Sequence, residues 1–148
     1  MRFGRARFGG GRVEVLVRLG PGEPRRVSHE VAGRALALLP GLAAHRCGVD
    51  GGVLPEEIEG TQIAHLFEHV LLELMVRTGA ADGPVAGETT WDAELDGPGV
   101  YAVSVSCADA RACRMALRAA KAVMRHLLDG GPAPRLPHTG LTRLQGRC

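Results

Sequence analysis

Apolar and polar residues alternate from Arg12 to Leu19 (RVEVLVRL), with Val13, Val15 and Val17 on one side and Glu14 and Arg18 on the other. A period of two predicts a strand with one face buried. Val100 to Cys107 (VYAVSVSC) reads as a second such strand. Between the two strands the period changes. Ile63, Leu66, Phe67, Val70, Leu71, Leu74 and Met75 recur at spacings of three and four, which predicts an amphipathic helix from an N-cap at Thr61 to a terminating Gly79. A longer helix is expected from Asp109 to Leu128, with Cys113, Ala116, Leu117, Ala120, Val123, Met124 and Leu127 on its apolar face. Ser28 is a good N-cap for a helix that runs to about Leu39, where Pro40-Gly41 stops it. Residues 44–58 read as irregular, and 80–99 as mostly loop with a short strand over Thr89–Leu95. Residues 1–11, rich in Gly and Arg, and the Pro/Gly/Arg tail from 132 to 148 are expected to be loose, leaving one domain over 12–131. This order of elements predicts an α+β fold. Its form is a small two-layer sandwich, a mainly antiparallel sheet with two or three helices packed on one face.

The polar strip of the Thr61 helix carries the most informative residues. His65, Glu68 and His69 form H-x-x-E-H. Histidines four residues apart are separated by about 6 Å of helix rise and point the same way, so one zinc ion fits between them. Zinc would activate a water, and Glu68 would act as the base that takes its proton. This is the inverted zinc-peptidase arrangement. A solvated polar face is the competing reading, but Leu72 lies in the same strip, which argues that something covers it. A third protein ligand is needed. Glu88, 19 residues after His69 on a loop that could fold back, is preferred, with His45 and Cys47 as the other candidates. Glu73 lies too far along the axis to bind the same ion and is expected to orient His69.

Composition narrows the function classes. The 148 residues are 45% hydrophobic and 23% charged, as in an ordinary globular domain. A net charge of +2 gives no reason to expect a nucleic-acid partner. No apolar run reaches the roughly 18 residues that would span a membrane. The basic start MRFGRARFGGGR lacks the apolar segment of a signal peptide. Cys47, Cys107, Cys113 and Cys148 form no C-x-x-C pair and are expected to be free thiols in a reducing cytoplasm. Charge is segregated. No Lys or Arg falls between Arg77 and Arg111, where Asp82, Glu88, Asp92, Glu94, Asp96 and Asp109 lie. Arg111, Arg114, Arg118, Lys121 and Arg125 share one face of the last helix. Solvated faces and loops explain such charges. Alternatively, an acidic region around Asp92 and Glu94 accepts cations while Arg111, Arg114 and Arg118 bind substrate carboxylates.

LPGLAAHRCG (39–48), GTQIAHLFEHVLLEL (60–74), GPGVYAVSVSC (97–107) and RACRMALRAAKAVMRHLLDGG (111–131) together resemble the N-terminal domain of cyanophycin synthetase, over roughly residues 12–131. Cyanophycin is a polymer of aspartate with an arginine on each side chain. The synthetase family makes it with ATP-grasp and Mur-ligase-like domains. Neither is present in these residues, so the resemblance implies no synthetase activity for this chain alone. It implies a domain that holds the polymer, and that in some members resembles a zinc metallopeptidase cutting polymer into primers. By motif, His65 and His69 would then be metal ligands and Glu68 the base. A charged peptide or amino-acid polymer is the implied partner, with separate ligase enzymes or self-association as further partners. A non-catalytic binding module is the alternative. The segment AADGPVAGETTWDAELDG departs from the family by being longer and more acidic.

Overall fold

The computed structural model describes residues 1–47, 51–80, 85–91 and 97–137. Its centre is a pair of antiparallel strands, β3 (Arg12–Arg18) and β7 (Val100–Ser106), in register along their whole length. Val13 faces Val105, Val15 faces Val103 and Val17 faces Tyr101, all on one side and all buried. Opposed β-branched and aromatic pairs stabilise a sheet chiefly through their contact across the strands. The other side of the same strands carries Glu14, Arg18, Ser104 and Ser106. The alternation in the sequence therefore reports one buried face, as expected.

The sheet extends beyond these two strands. β1 (Arg2–Phe3) and β2 (Arg7–Gly9) both pair antiparallel with β3, and β6 (Gly87–Thr90) pairs antiparallel with β7. Residues 1–11, expected to be loose, are thus ordered along an edge of the sheet. Phe3 packs at a tilt against Phe67 with ring centroids 4.8 Å apart, and the Arg114 guanidinium lies 5.2 Å from the centre of the Phe8 ring. These two rings anchor a stretch whose Gly and Arg content had suggested mobility. The expected strand over Thr89–Leu95 is β6, displaced towards the N-terminus; residues 92–96 lie outside the described residues.

The helices cover the valine face. α1 (His29–Leu38) starts at Ser28, whose hydroxyl accepts from the Val31 N–H at 3.3 Å. A 3₁₀ turn (Pro40–Ala44), the short strands β4 (Arg46–Cys47) and β5 (Gly52–Val53) and α2 (Leu54–Glu57) occupy the region expected to be irregular. α3 (Ile63–Thr78) carries the H-x-x-E-H motif and ends at Gly79, left-handed at φ 66°. α4 (Ala110–Asp129) starts at Asp109, whose carboxylate accepts from the N–H groups of Arg111 and Ala112. α3 packs along α4 and against β6 and β7, and α1 packs on α4. One continuous core runs through all of them. The expected α+β sandwich with helices on one face is the observed fold.

Two local expectations need correction. The N-cap of α3 is Gln62, not Thr61. Cys107 and Cys113 form a disulfide, with Cα atoms 6.1 Å apart, that ties the end of β7 to the first turns of α4. The sequence showed only that no C-x-x-C was present, and a six-residue separation is bridged here because the chain reverses at Asp109. Cys47 is free and buried, and Cys148 lies outside the described residues. The cysteines therefore no longer argue for a reducing compartment. Among the described residues no helix is long and apolar enough to cross a membrane.

Candidate metal centre

α3 is buried on nearly every side, from Ile63 to Met75. Its polar residues are enclosed with the rest: Glu68 is 5% exposed, His69 3% and Glu73 9%. Buried polar groups are costly unless paired, so each should have a partner, and each has. His65 and His69, one turn apart, bring their Nε2 atoms within 3.0 Å of each other. The Cys47 Sγ lies 3.1 Å from the same Nε2 of His69. One donor atom from each of Cys47, His65 and His69 lies within 4.8 Å of the others, the arrangement three ligands of one ion require.

The far side of each imidazole is also held. The Thr61 hydroxyl lies 2.9 Å from the Nδ1 of His65. This explains why Thr61 is not the helix cap: its oxygen is used on the ring one turn into the helix. The Nδ1 of His69 lies 3.1 Å from the Nδ1 of His45, the Nε2 of His45 lies 3.3 Å from a Glu73 oxygen, and the other Glu73 oxygen accepts from Arg77 Nε at 2.8 Å. The carboxylate sets the direction of this chain. Glu73 can only accept, so His45 donates from Nε2, and a neutral His45 ring then accepts at Nδ1 from the Nδ1 of His69. That leaves a lone pair on the Nε2 of His69, aimed at Cys47 and His65. Partners of this kind fix which nitrogen a metal would find. Glu73 therefore acts on His69 through His45, one residue further than expected. Gly41 makes room for it, since a side chain there would collide with the Glu73 carboxylate.

Charge follows from the same burial. Burial, helped by the neighbouring His65 and His45, pushes the pKa of His69 down to about 3, so its ring is neutral at ordinary pH. Burial pushes the Cys47 thiol up to about 11, with Glu57 and Glu68 adding to the shift. Burial also raises the Glu68 carboxyl, opposed by a hydrogen bond from Thr89. At Glu73 burial acts upward too, but hydrogen bonds from His45 and Arg77 outweigh it and hold the group below the usual range.

The register of β6 decides the fate of Glu88. Thr89 stands opposite Val103 and Gly87 opposite Val105, on the helix side of the sheet. Thr89 accordingly donates to Glu68 at 2.5 Å. Glu88 stands opposite Ser104, on the other side, and is exposed. The preferred third ligand thus stays outside the donor cluster, and Cys47, one of the alternatives, occupies that place. Gly87 is needed where it is. A Cβ there would sit 2.6 Å from an oxygen of Glu68. Gly87→Ala is expected to cost about 1–3 kcal/mol and to displace Glu68 while leaving the Cys47–His65–His69 cluster intact. Thermal unfolding together with metal content would check it.

The centre opens into a cleft of about 650 Å³ whose walls include Arg26, Arg46, Gln62, Leu72, Ala86 and Glu88. Leu72, 7% exposed, is the apolar residue of the polar strip, and it lines this cleft. The basic residues expected to bind substrate are elsewhere. Arg111, Arg114 and Arg118 are exposed on α4 and do not line the cleft. Asp92 and Glu94 lie outside the described residues. Sequence reasoning missed Arg26, Arg46 and Thr89, and took Thr61 for a helix cap rather than the partner of His65. The four-residue spacing of Thr61 to His65 was the one signal available for any of them.

Comparison with known proteins places this architecture. The family described as the cyanophycin synthase-like N-terminal domain matches residues 23–129. The chain belongs to this family. The matched stretch of this cyanophycin synthase-like domain contains His45, Cys47, all of α3 and β7, whereas β1 to β3 precede it. The domain is 40% identical over 98 residues to the cyanophycin synthetase of Synechocystis sp., covering 65% of this chain and 11% of that protein. It is 39% identical over 99 residues to that of Crocosphaera subtropica, and 37% identical over 99 to that of Trichormus variabilis, in each case 66% of this chain. The chain spans about a tenth of the length of these curated relatives.

Proposed function

We propose that this cyanophycin synthase-like domain is a zinc-dependent peptidase or amidase acting on a charged peptide or amino-acid polymer, with cyanophycin as the first candidate. The observation that carries this reading is the convergence of Cys47, His65 and His69 beside the buried carboxylate of Glu68, at the floor of one cleft. The donor set fits zinc. Two imidazoles and a sulfur are ligands it favours, and bonds of about 2.0–2.3 Å would separate the donors by roughly 3.3–3.6 Å, against 3.0 and 3.1 Å here. Three protein ligands leave the fourth position for water. The raised thiol of Cys47 would give up its proton on binding the ion.

Zinc, when bound, lowers the pKa of a coordinated water towards neutrality and polarises a carbonyl oxygen. The residues of the chain supply the remainder. Thr61 and the Glu73–His45 pair hold the two imidazoles with Nε2 towards the cleft. Glu68, kept basic by burial and aimed by Thr89, takes the proton of the attacking water and returns it to the leaving amine. The expected result is about one zinc per chain, lost in Cys47→Ala and His69→Ala, with hydrolysis of cyanophycin stopped by a chelator and restored by zinc. A wild-type protein that takes up no zinc, or hydrolysis indifferent to chelation, would sink the proposal.

One observation favours a second reading, a non-catalytic module that binds polymer alongside separate ATP-dependent ligases: the chain matches only about a tenth of relatives named as synthetases. Polymer binding without any turnover in zinc-loaded protein would select it.

A further inference from the structure

We propose that Arg26 and Arg46 select substrates bearing carboxylates close to the bond that is cut. This rests on the hydrolase reading for the cut itself, but not for the binding. The two arginines line the same cleft as Cys47, His65, Glu68 and His69, and both are exposed. They arrive from different parts of the chain. Arg26 precedes α1 and is bridged through its backbone to Gln62, at the start of α3, while the flanking Val27 N–H donates to the Thr61 carbonyl at 2.8 Å. Arg46 is the residue before Cys47 on β4, paired with Val53 of β5. Both backbones are therefore tied to elements that carry the donor cluster.

The side chains are anchored in the same manner. Arg26 donates from Nη1 to the Gly60 carbonyl at 2.6 Å, and Arg46 donates from Nη1 to the Gly51 carbonyl at 2.9 Å. A guanidinium carries five N–H donors in a fixed fork, so one such bond orients it and leaves an edge for a planar anion. Among the described residues neither makes an ion pair with a carboxylate. By contrast, Arg114 of the α4 strip is turned onto the Phe8 ring, away from the cleft. The same cleft holds the carboxylates of Glu68 and Glu88; against them, the two oriented guanidinium groups on its walls give a ligand's own carboxylates their place to bind, and arginine recognises carboxylates through paired hydrogen bonds.

Fluorescently labelled hexa-aspartate and hexa-asparagine peptides test this without requiring turnover. Zinc-loaded wild-type protein is expected to bind the aspartate peptide at least 10-fold more tightly than the asparagine peptide. Arg26→Gln combined with Arg46→Gln should abolish that preference while leaving the asparagine peptide unchanged. Arg114→Glu combined with Arg118→Glu should preserve it. Equal binding of the two peptides by the wild type, or a preference that survives at Arg26 and Arg46 and is lost at Arg114 and Arg118, would overturn the proposal. The Glu68→Gln protein separates the two readings. A preference kept there, in a protein whose wild type never hydrolyses, rejects the hydrolase and retains the arginines.

Discussion

Glu68→Gln is expected to bind zinc at the wild-type ratio and to hydrolyse substrate 10²- to 10⁴-fold more slowly, the usual range for loss of a positioned general base. The substitution is well suited to the question because it preserves shape. Glu68 is 5% exposed and accepts from Thr89 at 2.5 Å. A glutamine carbonyl oxygen accepts from the same hydroxyl, so β6 and α3 should remain in register. What is lost is the ability to hold a proton between water and leaving group. Since Glu68 is not among the converging donors, metal content should be untouched. A Glu68→Gln protein with full activity would remove Glu68 from the mechanism, whatever its zinc content.

Phe67→Ala is expected to destabilise the fold by about 3–5 kcal/mol, the range for deleting a fully buried aromatic ring. Phe67 is 0% exposed and packs against Phe3 of β1, 4.8 Å between centroids. The cavity would open beneath the sheet and release the N-terminal strand at once. Against a total stability of about 5–15 kcal/mol for a typical domain, that is a large share. Urea denaturation of the variant should show a much lower midpoint. A loss below about 1 kcal/mol would mean that the core closes over the gap, and that β1 contributes little. Phe67 and Glu68 are neighbours on α3 yet face opposite duties, so the two substitutions separate fold from chemistry: the first lowers stability, the second lowers turnover.

Much of this architecture is legible in the residues. β3, β7, α3 and α4 each show their own period, and Ser28, Asp109 and Gly79 mark ends that the structure confirms. The H-x-x-E-H residues come together for a local reason, helical spacing, so they could be placed. The third donor could not. Cys47 reaches His69 through a two-residue strand and a turn, and no periodic signal survives over so short an element. Glu88 looked suitable because a loop can put a side chain anywhere. In the structure it belongs to a strand, and a strand leaves only two directions, of which Glu88 takes the outer. The helical wheel had the reverse problem. It separates polar from apolar residues correctly but says nothing about whether the polar side meets water, and here that side is walled in by β4, β6 and the turn before α3. β1 and β2 were missed because Arg- and Gly-rich sequence describes an exposed edge strand as well as it describes a coil.

The family match begins at residue 23, and β3 ends at Arg18. Anyone trimming the protein to its recognisable segment would therefore remove the partner of all seven residues of β7. The remainder would keep every proposed ligand and the proposed base, yet present a bare, hydrogen-bond-hungry strand and the valine-lined underside of its helices to solvent. Such a fragment should clump rather than bind. The proposed chemistry of this domain thus depends on a stretch of chain that supplies neither its proposed ligands nor its base.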